Sequence, residues 1–212
     1  MWAIISKAFG QTVNMVLFST LFSVLLGAIP AVILTLTAPD GLRPNRAVYG
    51  ALSFLVNVFR SFPFIILMIL VIPLTRFLVG KAIGTTAAIV PLTISAIPFV
   101  ARVMESSLRE VDPGLIEAAR SFGASEFQIF RRVYLKEALP GILSGVVLTM
   151  ISLVGYSAMG GAIGAGGLGD VAIRYGYQGY RTSYLIATSI LLIVFVQVIQ
   201  GIGNYIYNRL NQ

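Results

Sequence analysis

The 212-residue sequence contains no cysteine and no histidine. Disulfides, thiolate nucleophiles, imidazole metal ligands and histidine general bases are therefore excluded, and with them most familiar routes to catalysis. Charge is scarce as well: 11% of residues carry one, where a soluble domain uses about a quarter to solvate its surface. Hydrophobic residues make up 57% and the mean hydropathy is +0.90. Lipid is the solvent that such a surface fits.

A formal charge of +7 would suggest nucleic acid in a soluble protein. In a membrane protein the placement of Lys and Arg matters more than their sum, because they are retained on the cytoplasmic side; no nucleic-acid partner is expected. Lys7 precedes an apolar stretch too long for a cleaved signal, so that stretch reads as a first retained span. A helix needs about 20 apolar residues to cross the hydrocarbon layer. Uncharged stretches place five crossings, at about 12–36, 47–79, 82–101, 138–169 and 182–208, the second interrupted by Arg60 and Arg76. With the N-terminus outside, the inner segments hold nine basic residues: Arg43, Arg46, Arg102, Arg109, Arg120, Arg131, Arg132, Lys136 and Arg209. The outer segments hold five, Lys7, Arg76, Lys81, Arg174 and Arg181. The bias favours N-out and C-in. The expected fold is thus an all-α integral membrane protein, one domain over residues 1–212, with five transmembrane helices and a cytoplasmic segment at 102–137.

That segment is the one sizeable water-exposed stretch, with charges of both signs from Arg102 to Glu137. Arg102 to Val111 extends the third helix, pairing Glu105 with Arg109 at i,i+4. Asp112-Pro113 restarts a helix, since Asp caps free amides and Pro needs no N–H at the first helical position. Gly123 ends it as a left-handed terminator. Ser125-Glu126-Phe127-Gln128 is a capping box opening a second helix towards Leu139, and Pro140-Gly141 marks entry into the fourth span. From pattern alone, this helix–turn–helix is either an amphipathic hairpin on the bilayer surface or a knob for a partner protein. Leu115, Ala119 and Phe122 form one stripe; small Ala118 and Ala119 would let a partner approach, and Glu117 offers a fixed charge.

The string Glu117-Ala118-Ala119, then Gly123, then Val133 after nine more residues, resembles the EAA motif of ABC importer permeases. One position departs: Lys136 follows Leu135 where that family commonly has proline. Further stretches resemble the methionine-importer branch of the family: Asn57 to Leu67, Ile89 to Thr93, Leu153 to Gly169, and Tyr-Gly-Tyr-Gln-Gly-Tyr at 175–180. The resemblance implies a homodimer, two separate ABC ATPase subunits that bind ATP and Mg, and an external methionine-binding protein that supplies substrate. It also implies that Glu117, Ala118, Ala119, Gly123, Ala124 and Ser125 dock on the ATPase. No cofactor is expected on this chain, because Gly80-Lys81-Ala82 lacks both the upstream Gly and the Ser/Thr of a P-loop.

Gly164-x-Gly166-x-x-Gly169 fits a dinucleotide fingerprint in spacing but follows an apolar span instead of a strand. A glycine-rich turn leaving the membrane is the reading kept. Arg60 lies within the second stretch; either residues 47–59 run along the interface and Arg60 snorkels, or it stands with Ser61 beside the Pro63 break at the translocation pathway. Tyr156, Ser157 and Met159 sit in a polar, small-residue part of the fourth span, read as a loosened helix that must face protein or a cavity. Met159 is the candidate gate, met by its counterpart from a second subunit; the alternative is a methionine filling a packing gap. Alternating access by an ATP-driven importer is the expected mechanism. An importer of another small amino acid, a passive or ion-coupled carrier and a membrane hydrolase are the rivals. No carboxylate falls within the spans as drawn, which counts against ion coupling, and no Ser–Lys pair lies at depth for hydrolysis.

Overall fold

The computed structural model describes residues 1–210. Helix α1 spans Trp2–Thr37, α2 Arg46–Arg60, α3 Phe64–Leu70, α4 Ile72–Val79 and α5 Thr85–Arg109. Helix α6 covers Pro113–Ser121 and α7 Glu126–Ile129; a π-helical turn at Phe130–Tyr134 and α8 at Leu135–Glu137 lead to α9, Leu139–Gly161. Helix α10, Gly167–Val171, continues through a second π-helical stretch at Ala172–Tyr177, and α11 is Thr182–Leu210. Helices α1, α5, α9 and α11 are each long and apolar enough to cross a membrane.

Helix α1 buries small and polar residues (Thr12, Ser19, Thr20, Ser23, Gly27) alongside Ile5, Met15, Val16 and Leu34, while Leu17, Phe18, Leu21, Phe22, Leu25 and Ile29 are exposed. Lipid tails are as apolar as leucine, so helices associate through close backbone approach, and small residues line the contact. Two buried hydroxyls are satisfied locally, Thr20 donating to Val16 O at 2.7 Å and Ser23 to Thr20 O at 3.0 Å, while Ser19 donates across to Ile89 O of α5 at 3.4 Å. At Gly27 a Cβ would stand 2.8 Å from Val100 Cγ1 and 2.9 Å from Ile97 O. Helices α1 and α5 therefore meet through that glycine. Around the pair, Met15, Val16, Phe64, Met68, Leu92, Leu153, Val154 and Ile199 form the main core cluster.

Several boundaries differ from those drawn on hydropathy. Helix α1 begins ten residues before Thr12, at Trp2. The stretch 47–79 is no single rod: α2 and α3 meet at 101° across Ser61–Pro63, because Pro63 cannot donate a backbone bond and forces its predecessor out of helical geometry. Counting this bent pair as a span gives five crossings instead of four. The third helix starts at Thr85, three residues after Ala82, and runs unbroken to Arg109, as the reading of Arg102 to Val111 as its extension expected. The fourth span, expected over 138–169, ends as a helix at Gly161. Gly164, Gly166 and Gly167 have φ of +86°, +80° and +80°; these reverse the chain, and α10 packs back beneath the end of α9.

The reversal is held by side chains from α1. Gln11 Oε1 accepts from Gly167 N at 3.0 Å and Thr12 Oγ1 from Leu168 N at 2.9 Å. Two amides at the start of α10, which would otherwise be unsatisfied away from water, are thereby paired. Residues 170–181, drawn from sequence as an outer loop, are thus a folded excursion whose Val171 packs with Ile5, Ala8, Leu168 and Tyr184.

Candidate functional site

Two regions hold the residues singled out from sequence, one at the charged end of the bundle and one at the α3–α9 contact. At the charged end, Asp112 accepts from Gly114 N at 2.8 Å and starts α6. Gly123, at φ +77°, reverses the chain after it. Ser125 Oγ accepts from Gln128 N, and Gln128 Oε1 accepts from Ser125 N at 2.8 Å, completing the capping box. Local sequence alone dictates this turn, since each cap satisfies amides that no other element reaches.

The hairpin presents one face and buries the other. Leu115, Glu117, Ala118, Phe122, Gly123 and Ser125 are exposed. Phe122 is 91% exposed and Phe127 70%. Ala119 and Ala124 turn the other way, packing with Ile116 and Met104 against Leu108, Val111, Ile129 and Tyr134. The expected stripe of Leu115, Ala119 and Phe122 is therefore split, with Ala119 turned inward onto the cluster at the end of α5. Ala119 and Ala124 shape the knob; Glu117, Ala118 and the two phenylalanines form its outer surface. Arg43 pairs with Glu126 at the hairpin's base. Burial, with the charge of Asp40 adding to it, holds the Tyr134 phenol above its ordinary range, so this ring stays neutral under the hairpin.

At the second region, Arg60, Ser61 and Pro63 are all exposed at the α2–α3 elbow. Arg60 takes part in no ion pair among the described residues. Immediately after the elbow, the Phe64 ring stacks on Tyr156 with centroids 4.9 Å apart. Met68 lies against Gly160, where a Cβ would stand 3.5 Å from its Sδ. The elbow and α9 are thus joined by one aromatic stack and one sulfur contact. Residues 156–161, expected to be loosened, are regular α-helix. Ser157 is buried and donates to Val154 O of its own helix at 2.8 Å. The polarity that suggested a break is absorbed by the helix's own carbonyls. Met159 is half exposed, on a face of α9 that also leaves Leu148 and Gly155 uncovered.

The sequence reading missed four residues. Gln11 and Thr12 hold the α10 reversal; the signal was two adjacent polar residues inside an apolar helix. Phe64 carries the contact to α9, and nothing in the local pattern marks it among thirteen phenylalanines. Arg102, read as a plain topogenic charge, donates to Glu105, Ser53 and Asn57.

Residues 23–212 match the model of the binding-protein-dependent transport system inner membrane component family. The chain belongs to that family. Its relatives include the probable D-methionine transport system permease protein MetI of Vibrio cholerae, 52% identical over 201 residues, covering 95% of this chain and 89% of the relative. The methionine import system permease protein MetP of Bacillus subtilis is 42% identical over 180 residues, or 85% of this chain and 81% of the relative. A chain from an inward-facing structure of the MetNI methionine ABC transporter superposes with a TM-score of 0.97 at 45% identity, covering 100% of this chain and 98% of the other. This inner membrane component is accordingly a multi-pass protein of the bacterial cytoplasmic membrane. Its apolar spans, its elbow and its exposed hairpin are parts of a transport fold, and the methionine-importer resemblance of the quoted stretches agrees with relatives found over nearly the full chain.

Proposed function

We propose that this chain is the permease subunit of a methionine ABC importer, two copies forming the translocation route between them and two separate ATPase subunits driving it. The observation that carries the reading is the full-length match, at 45% identity and a TM-score of 0.97, to a chain of a methionine ABC transporter. The exposed, rigidly capped hairpin supports an ATPase contact. A hydrophobic ring such as Phe122, 91% exposed at the charged end of a membrane protein, fits a partner's groove better than water. ATP is cytoplasmic, so this reading sets the hairpin inside and the α10 end outside. ATP and Mg belong to the partner.

A single chain cannot cover the Met159 face of α9, where Leu148, Gly155 and Met159 lie open. A two-fold axis along that face would bring two Met159 side chains together as an apolar gate, with Tyr156 and the Arg60–Pro63 elbow beside it. Alternating access then follows from drawing the two hairpins together and apart. At the opposite end, Tyr177 and Tyr180 are 75% and 93% exposed, with Arg174 and Arg181 flanking them in the chain. Exposed tyrosines among cations suit a soluble binding protein with an acidic face.

The test is co-expression with the neighbouring ATPase. The parent chain should purify as a complex and, with the binding protein, concentrate labelled methionine in vesicles on ATP addition. Glu117→Lys should abolish co-purification while leaving the chain folded. Uphill methionine uptake by vesicles holding this chain alone would overturn the reading.

A further inference from the structure

One buried carboxylate has no place in the route just described. Glu105, 2% exposed, lies in α5 one turn beyond where hydropathy ended that span. Its Oε2 accepts from Arg102 Nη1 at 2.7 Å and its Oε1 from the Tyr49 hydroxyl at 3.0 Å. Arg109 Nη1 stands 3.8 Å from the same Oε1. The two arginines then reach outward in different directions. Arg102 Nη2 donates to Ser53 Oγ at 2.8 Å and to Asn57 Oδ1 at 2.9 Å, both on α2. Arg109 donates to both Asp40 oxygens, at 3.0 and 3.1 Å, and to Tyr49 Oη at 3.3 Å.

We propose that this cluster is the joint that makes α2 move with α5, carrying displacement of the hairpin to the elbow at Ser61–Pro63 and so to Met159. The inference rests on the coupling and gate roles proposed above and adds the residues that connect them. Three features support it. First, the two stripes are matched in register: Tyr49, Ser53 and Asn57 recur every four residues on α2, and Arg102, Glu105 and Arg109 at three and four on α5, so two helical faces meet along two turns. Second, α2 has little else to hold it. Val56 is its one buried residue, seated with Leu52 and Tyr49 on Leu34 and Ala101. Third, the joint lies between the two parts it would connect. Three residues separate α5 from α6, and three separate α2 from α3, whose Phe64 stacks on Tyr156 in the Met159 helix.

The chemistry suits a joint better than a mere anchor. Apolar side chains of the same volume would hold two helices at least as firmly, since a buried ion pair loses in desolvation much of what it gains in attraction. Ionic partners add direction: Arg102 satisfies Glu105 with one nitrogen and α2 with the other, so a slip of α2 along α5 by less than a turn would break the bonds of Tyr49, Ser53 and Asn57 together, while Glu105 keeps the arginines of its own helix. Either α2 follows or all of its polar bonds to α5 part. Such an all-or-none contact can pass a displacement on without being worn away by small slippage.

The experiment uses the assembled transporter in vesicles with its binding protein, measuring ATP hydrolysed and methionine accumulated in the same preparation. The variant Ser53→Ala/Asn57→Ala removes both α2 partners of Arg102 and leaves Glu105 paired with Arg102 and Tyr49. ATP hydrolysis should persist, while methionine moved per ATP should fall by about tenfold or more, since each of the two lost bonds to a charged group carries at least about that factor. Asn57→Asp, which returns an acceptor to Arg102, should restore the ratio. An unchanged ratio in the double variant overturns the proposal. So does a parallel fall in hydrolysis and uptake with a lowered melting temperature, which would mark the cluster as structural. Failure of the Proposed function looks different: the parent complex itself would neither assemble nor transport.

Discussion

Gly161→Ala is the sharpest test of how α9 and α10 are joined. A Cβ at Gly161 would stand 2.3 Å from Asp170 N, 2.5 Å from Gly169 C and 2.9 Å from Gly169 Cα. All three are backbone atoms, so no side chain can swing aside. Ordinary carbon contacts lie at about 3.5–4.0 Å, which requires the helices to part by about 1 Å. That displacement has a second consequence, because α10 is also pinned by Gln11 and Thr12 of α1 at 3.0 and 2.9 Å. Moving the amides by this amount takes both bonds out of hydrogen-bond geometry. Overpacking costs about 1–3 kcal/mol, each lost buried bond about 1 kcal/mol, and the helix propensity of Ala returns somewhat under 1 kcal/mol. The net is a destabilisation of about 3 kcal/mol, or about 6–12 °C in melting temperature for a chain of this size. The assay is thermal unfolding of the purified complex in detergent, followed by size-exclusion. Gly10→Ala serves as the control, since a Cβ there meets nothing within 4 Å. Equal melting temperatures for the two variants would refute the α9–α10 backbone contact.

Two further outcomes follow from the same geometry. Gly123→Ala places a side chain at φ +77° with open space around it; the cost of about 1 kcal/mol is conformational, and the expected result is a folded chain whose ATPase binding weakens while its melting temperature drops by a few degrees at most. Met159→Ala removes the side chain proposed to meet its counterpart, so vesicles loaded with labelled methionine should leak without ATP, whereas a packing role would lower stability and leave the vesicles tight.

What could be read from residues alone had local causes. Asp112, Gly123 and the Ser125–Gln128 box specify the hairpin because a cap is made by residues within one turn of each other. Pro63 announces the elbow because proline acts on its own neighbours. Membership of a transport family was legible for a related reason: Glu117-Ala118-Ala119 with Gly123 is a short string whose spacing survives any packing around it.

The tertiary structure decided what depends on partners far away in sequence. The glycines at 164–169 read as a turn from sequence, but only the reach of Gln11 and Thr12 across more than 150 residues holds the chain back under α9. Ala119 was expected on the outer face and lies inward, because the choice of face depends on where α5 happens to pass. Glu105 looks like half of a surface i,i+4 pair until α2 folds over it and removes the water. Hydropathy along a chain reports how each residue greets lipid; it carries no term for which helix lies alongside, and in a membrane that neighbour decides whether a polar group is a cost, a cap or a joint.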